Sequence, residues 1–199
     1  MTGRLPSGRH QLTRDEVVGA QRARMLRAAA EAMAERGYAG TTVADVIKRA
    51  GVSRETFYQQ FTNKQACFIA ALEAAIGQLA AFGGPLPSGT PLERFDGFIG
   101  TYLGTLAAEP ALARLFLIET YAAGPEAMRR RLELQQHFVD LIALTFDARS
   151  AEERFACQAL VGSIVSLVTA RFVEDDVDGL HALREPIVAL ARRLLEGPQ

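Results

Sequence analysis

The stretch TVADVIKRAGVSRETFYQQFTNK, residues 42–64, decides how this chain is read. Thr42 is a good helix N-cap, and Asp45, three residues on, stands in capping-box position. Val43, Val46, Ile47 and Ala50 recur at helical spacing, so this first short helix has one buried stripe. Ala50-Gly51-Val52 predicts a tight turn, because Gly51 takes a positive φ without steric cost. Ser53 then caps a second short helix over 54–60, with Phe57 turned inward and Phe61 closing the unit. Thr62 and Gln65 form a further capping-box pair that opens a helix running through Leu72, Ile76 and Leu79. Two short helices joined at a glycine turn make a helix-turn-helix, whose second helix is narrow enough for the major groove of DNA.

If Val46, Ile47, Val52, Phe57 and Phe61 hold the pair against a preceding helix, then Arg54, Glu55, Thr56, Tyr58, Gln59 and Gln60 remain for solvent or DNA. Arg bonds guanine bidentately and Gln does the same to adenine. Thr42, Tyr58 and Lys64 lie at helix starts or on the outer rim, where hydroxyl, ammonium and backbone N–H groups meet phosphates.

Working outward, a helix over 14–36 carries Val18, Met25, Leu26, Ala29, Ala30 and Met33 at helical spacing and is closed by Gly37. Before it, residues 1–13 read as a flexible basic arm with Arg4, Arg9 and His10, open to either a minor-groove or a purely solubilising role. After it, 83–89 (GGPLPSG) is the clearest break in the chain. Five more helices are predicted near 91–107, 110–121, 125–146, 151–173 and 179–195, with Pro91, Pro110 and Pro125 in first turns. Pro186 either kinks the last of these or marks its true start. No run alternates polar and β-branched residues, so the fold class is all-α: a three-helix head over 14–65 and a helical bundle over 66–199.

Residues 41–68, TTVADVIKRAGVSRETFYQQFTNKQACF, together with Glu35-Arg36-Gly37-Tyr38, resemble the DNA-binding signature of the TetR family of bacterial regulators. The resemblance covers about the first third of the chain. It implies that Thr42, Tyr58 and Lys64 contact phosphates and that Arg54, Glu55, Thr56, Gln59 and Gln60 occupy the recognition positions. It also implies a dimer on a palindromic operator and a divergent sensor domain that releases DNA when a small molecule binds. One departure is Ile47, where the family usually places a small alanine.

Charge supports a head that meets a polyanion. Residues 1–65 hold 11 Lys and Arg against 6 Asp and Glu, and the remainder holds 11 against 17, within a whole-chain net of −1. The body helices are apolar around more of their circumference than a surface helix needs. Phe98, Tyr102, Phe116 and Val139, with Glu119 and Gln136 as placed polar groups, are the candidate walls of a site for an apolar or aromatic effector. Ala159, Gly162, Ser163, Ser166 and Ala170 form a small-residue stripe, and Leu183, Ile187, Leu190 and Leu194 recur beyond it; these are the candidate homodimer surface. The bland alternative, that many of them are ordinary core, stays open. Cys67 and Cys157 have no metal or CxxC spacing, so neither a metal site nor a cofactor is expected. No uninterrupted apolar run spans a bilayer and no signal-type segment opens the chain, so the expected location is the cytoplasm, without a membrane partner. Two rival functions remain: a DNA-binding protein whose second domain only dimerises, and an all-helical enzyme, for which no nucleophile–base pair or phosphate loop is present.

Overall fold

A computed structural model describes residues 13–81 and 88–196. The basic arm with Arg4, Arg9 and His10, and most of the 83–89 break, lie outside the described residues. Among the described residues nine α-helices follow in order: α1 Arg14–Gly40, α2 Val43–Ala50, α3 Arg54–Gln60, α4 Lys64–Ala81, α5 Pro91–Ala108, α6 Pro110–Leu117, α7 Pro125–Thr145, α8 Ala151–Val173 and α9 Arg184–Leu195. Two 3-10 turns, Glu119–Tyr121 and Asp178–Leu183, precede α7 and α9. The protein is all-α, with a helix-turn-helix head and a helical body.

Local chemistry accounts for the boundaries. Thr13 and Glu16 form a capping box at the start of α1, as Thr42 and Asp45 do for α2. Gly37 breaks α1 with φ 72°, ψ 163°, so the regular helix ends where the glycine predicts. Gly51 takes the left-handed conformation (φ 63°, ψ 42°) between α2 and α3, and Ser53 caps α3. The expected cap of α4 is corrected. Its first turn is closed by Asn63, whose Oδ1 accepts the Ala66 N–H at 2.8 Å, and not by Thr62. Gln65 reaches away, its Nε2 donating to the Ala123 carbonyl at 2.8 Å. Pro186 marks a helix start and no kink, since α9 begins two residues earlier at Arg184. The helix expected over 110–121 divides at Ile118, after which Glu119–Tyr121 tightens to 3-10 geometry.

The head is held by aromatic and aliphatic packing. Phe57 is fully buried, its ring 5.5 Å from Phe61 and both in one cluster with Met25, Ala29, Val46 and Phe68. Truncating such a side chain costs about 3–5 kcal/mol. Across the α1–α2 junction the ion pairs Arg36–Asp45 (2.9 Å) and Arg49–Glu35 (2.6 Å) are exposed, where solvent screening leaves them little to add to stability. The apolar core continues without a break into the body through Leu72, Leu115, Leu117 and Ile99 to Ala191. In the body α6 packs on α1 and α4, α7 on α8, and α9 on α5 and α8. Cys67 and Cys157 are free and buried, and burial pushes the Cys67 thiol up to about 12.

Candidate functional site

The turn at Gly51 angles α3 so that its inner residue, Phe57, enters the core while Arg54, Glu55, Tyr58 and Gln59 stand exposed. Thr56 and Gln60 are half-buried. Thr56 is tied into the cap, its hydroxyl 2.9 Å from Ser53 Oγ and its N–H donating to that atom at 3.0 Å. The Arg54 guanidinium lies 5.5 Å from the Tyr58 ring centroid, and Gln59 Nε2 reaches Glu55 Oε1 at 3.4 Å. A base-reading arginine stacked on a neighbouring tyrosine loses less freedom on binding than one waving in solvent. The outer face of α3 is therefore a short array of donors and acceptors on a rigid support, of the kind that reads base edges.

The rim residues are more engaged than sequence suggests. The Thr42 hydroxyl donates to Asp45 Oδ2 at 2.6 Å and the Thr42 N–H at 2.9 Å, so this side chain completes its cap before it meets any phosphate. Those two donations hold the Asp45 carboxyl below the usual carboxylate range. The Lys64 ammonium donates to the carbonyls of Tyr38 and Thr41 at 2.7 and 2.8 Å and sits 4.1 Å from the Tyr38 ring centroid. Partial burial there lowers its pKa. Of the three N–H groups of the ammonium, one is left over.

In the body an apolar recess lies between α5, α6, α7 and α8. Its walls include Phe98, Tyr102, Phe116, Gln135, Phe138 and Ile164. The rings of Phe98 and Tyr102 stack at 6.4 Å, and Phe138 lies 5.9 Å from each. Burial pushes the Tyr102 hydroxyl pKa up, countered in part by the charge of Arg131. An apolar and aromatic lining with a single amide among its walls has the chemistry of a small-molecule site.

Three of the six expected wall residues, Phe98, Tyr102 and Phe116, are on this lining, and three are not. Gln136 is exposed and donates to Asp140 at 3.1 Å; the amide in the wall is its neighbour Gln135. One residue turns a helix by about 100°, so this single step separates wall from solvent. Val139 is buried but packs behind the lining. Glu119 faces the head, accepting the Tyr38 N–H. Phe138, Ile142, Val161, Ile164 and Val165 line the recess without having been singled out. No signal in the sequence singled out Gln135 and Phe138; they share a face of α7 with Arg131, at i+4 and i+7, and only the burial of Arg131 in the structure identifies that face as the inner one.

On α8, Ala159, Gly162, Ser166 and Ala170 are exposed and Ser163 is half-buried. Phe155, Leu167 and Val173 extend the strip, at 68%, 42% and 66% exposure. By length and composition α8 could cross a bilayer, yet only 33% of that apolar window is covered by the chain itself. On α9, Leu194 is exposed and Leu190 half-buried. Leu183 and Ile187 are corrected as surface residues: both are buried, Ile187 at 1% exposure, in the chain's own core.

Residues 25–71 match the family model of bacterial regulatory proteins, tetR family. The chain is 27% identical over 173 residues to the fatty acid metabolism regulator protein of Bacillus subtilis, covering 82% of this chain and 89% of that relative. It is 33% identical over 72 residues to the HTH-type transcriptional activator FasR of Mycolicibacterium smegmatis, covering 36% of this chain and 31% of that one. Among solved structures, the fatty acid degradation regulator FadR from Bacillus halodurans superposes with a TM-score of 0.75 at 23% identity, over 89% of this chain and 99% of that one. The FadR of Bacillus subtilis in complex with stearoyl-CoA gives 0.71 at 21% identity, with coverage of 89% and 99%.

Proposed function

We propose that this chain, whose residues 25–71 match the family model of bacterial regulatory proteins, tetR family, is a ligand-responsive, DNA-binding transcriptional regulator that represses transcription as a homodimer on a palindromic operator and is released by a molecule carrying an acyl chain. The observation that carries this reading is the pairing of an exposed recognition face on α3 with an apolar recess in the body walled in part by Phe116 of α6. Arg54, Glu55, Thr56, Gln59 and Gln60 would read bases, while Thr42, Tyr58 and the remaining N–H of Lys64 would meet phosphates.

In a twofold dimer two copies of α3 must enter successive major grooves, about 34–36 Å apart. The exposed strip of α8, with Leu190 and Leu194 of α9 beside it, supplies an apolar face on which two copies can pair, and its small residues permit close approach. The working division is an arm over 1–13, a head over 14–65 and a sensing and dimerising body over 66–199.

Signal passes between recess and head through α6. Phe116 is part of the recess wall, α6 packs on α1 and α4, and Glu119 just beyond it holds the Tyr38 N–H where α1 ends. A ligand that fits only one placement of Phe116 shifts α6 and with it the head, by no more than its differential affinity for the two placements. The recess is apolar and aromatic, and the relatives named for fatty acid metabolism support an acyl chain as its occupant.

The test is selection of a bound duplex from a random library, followed by titration with acyl compounds. An inverted repeat released by a chain-bearing ligand is the expected outcome. A repeat that no acyl compound releases would favour the alternative, in which the body only dimerises.

A further inference from the structure

Arg131 of α7 is 4% exposed, and among the described residues its guanidinium has neither a carboxylate nor a hydrogen-bond partner. Other arginines of the body show what the fold ordinarily provides: Arg184 is paired with Asp96, Arg130 with Glu73, Arg114 with Asp175, and Arg94 donates to the Thr145 carbonyl. The Arg131 Nε is wholly buried and unsatisfied, as are those of Arg94 and Arg130, but those two have a partner on another guanidinium nitrogen and Arg131 has none among the described residues. Its guanidinium carbon lies 4.8 Å from the Tyr121 ring centroid and 5.6 Å from that of Phe116. Two ring faces offset part of the cost of burying a cation, but they accept none of its N–H groups. A buried charge without its counter-charge is an expensive feature that a fold sheds unless something else uses it.

Its position says what that is. Arg131, Gln135, Phe138 and Ile142 follow one another along one face of α7, and the last three line the recess. Phe116, against which the guanidinium rests, lines it too. Arg131 thus stands at the edge of an apolar, aromatic recess that otherwise contains only the Gln135 amide and the Tyr102 hydroxyl as polar groups.

We propose that Arg131 anchors the carboxylate of a free carboxylic acid whose apolar chain fills the recess between Phe98, Phe138 and Ile164. The guanidinium fork matches a carboxylate bidentately, and Gln135 stands one helical turn away as a second donor. The near-complete burial of Arg131 favours a compact head group and leaves little room for a nucleotide-bearing one. This inference rests on reading the recess as the effector site and assigns the ionic end of that effector.

The experiment is isothermal titration of the full-length protein with decanoate, decanol and decanoyl-CoA, repeated on Arg131→Met and Arg131→Lys. The expected result is that decanoate binds wild type at least about tenfold tighter than decanol, as a charge-assisted pair requires. Arg131→Met should bring the two to within about threefold of each other by weakening decanoate alone, and Arg131→Lys should restore part of the difference. The acid–alcohol comparison on wild type decides the matter even where Arg131→Met fails to fold. Equal affinity for decanoate and decanol overturns the carboxylate assignment while leaving the recess an apolar effector site. Binding of decanoyl-CoA alone overturns it in favour of a thioester. Binding of none of the three overturns both readings.

Discussion

The carboxylate of Glu119 accepts the backbone N–H of Tyr38 at 2.5 Å, across 81 positions of sequence. It joins the body to the head at the point where Gly37 breaks α1, and the neighbouring Gln65–Ala123 bond (2.8 Å) ties α4 to the same region. Removing Glu119 leaves a part-buried donor unsatisfied. Glu119→Ala should therefore lower unfolding stability by about 1–3 kcal/mol. It should also shrink the factor by which an effector changes operator affinity. Denaturant titration checks the first effect, and operator binding with and without effector checks the second. Unchanged stability together with an unchanged response would show that the contact carries nothing.

Arg54 is exposed at the start of α3 and rests on Tyr58. Arg54→Ala should cost about 1–3 kcal/mol on the preferred operator and relax the choice at one base pair, measured on a panel of single-position variants. An equal loss on every sequence would make Arg54 a phosphate contact.

Lys64 divides its ammonium between two carbonyls of the head and whatever lies outside. Lys64→Met should lower the melting temperature and also reduce the salt slope of DNA binding by about one. A lowered melting temperature with an unchanged slope would restrict Lys64 to holding the end of α1.

Asp45 titrates below its ordinary value because the Thr42 hydroxyl and N–H donate to the carboxylate. With the folded pKa depressed, its stabilisation is present above the unfolded pKa, about 3.9, and fades as pH falls through the folded value. The stability advantage of wild type over Asp45→Asn should hold near neutral pH and narrow on acidification below about pH 4. A difference independent of pH would mean that the charge contributes nothing to the cap.

Gly162 lies on the exposed strip of α8, and a Cβ added there would meet no heavy atom within 4 Å. Gly162→Arg should leave the fold intact, convert the dimer to monomer in sedimentation, and weaken operator binding. A dimer that persists would move the interface elsewhere.

The head was legible in the sequence because its signals are local. Gly51 and Ser53 fix the turn, Thr42 and Asp45 fix the start of α2, and Phe57 has one direction in which to be buried. Where a side chain's partner lies far along the chain, spacing stopped being enough. Glu119 sits on an apolar stripe, but only the packing of α6 against α1 turns it to Tyr38 and away from the recess. Gln135 and Gln136 differ by one step on a helix with apolar residues on several faces, and their division follows from where α8 and α5 lie. Leu183 and Ile187 have the spacing of an interface, yet the 3-10 turn that ends at Leu183 and the helix α9 that holds Ile187 both pack on α5 and α8 within the same chain. Arg131 gave no sign in the sequence, because arginines abound on α7 and burial alone distinguishes this one.

The most direct measurement is the affinity of the purified full-length protein for a selected inverted-repeat duplex across a series of salt concentrations. The expected result is two protomers per duplex, a steep fall in affinity with salt, and a loss of sequence preference when Arg54 and Gln59 are both changed to alanine. A complex of one protomer per duplex, or affinity that is the same for scrambled sequence before and after those changes, would contradict α3 as the reading helix of a dimer.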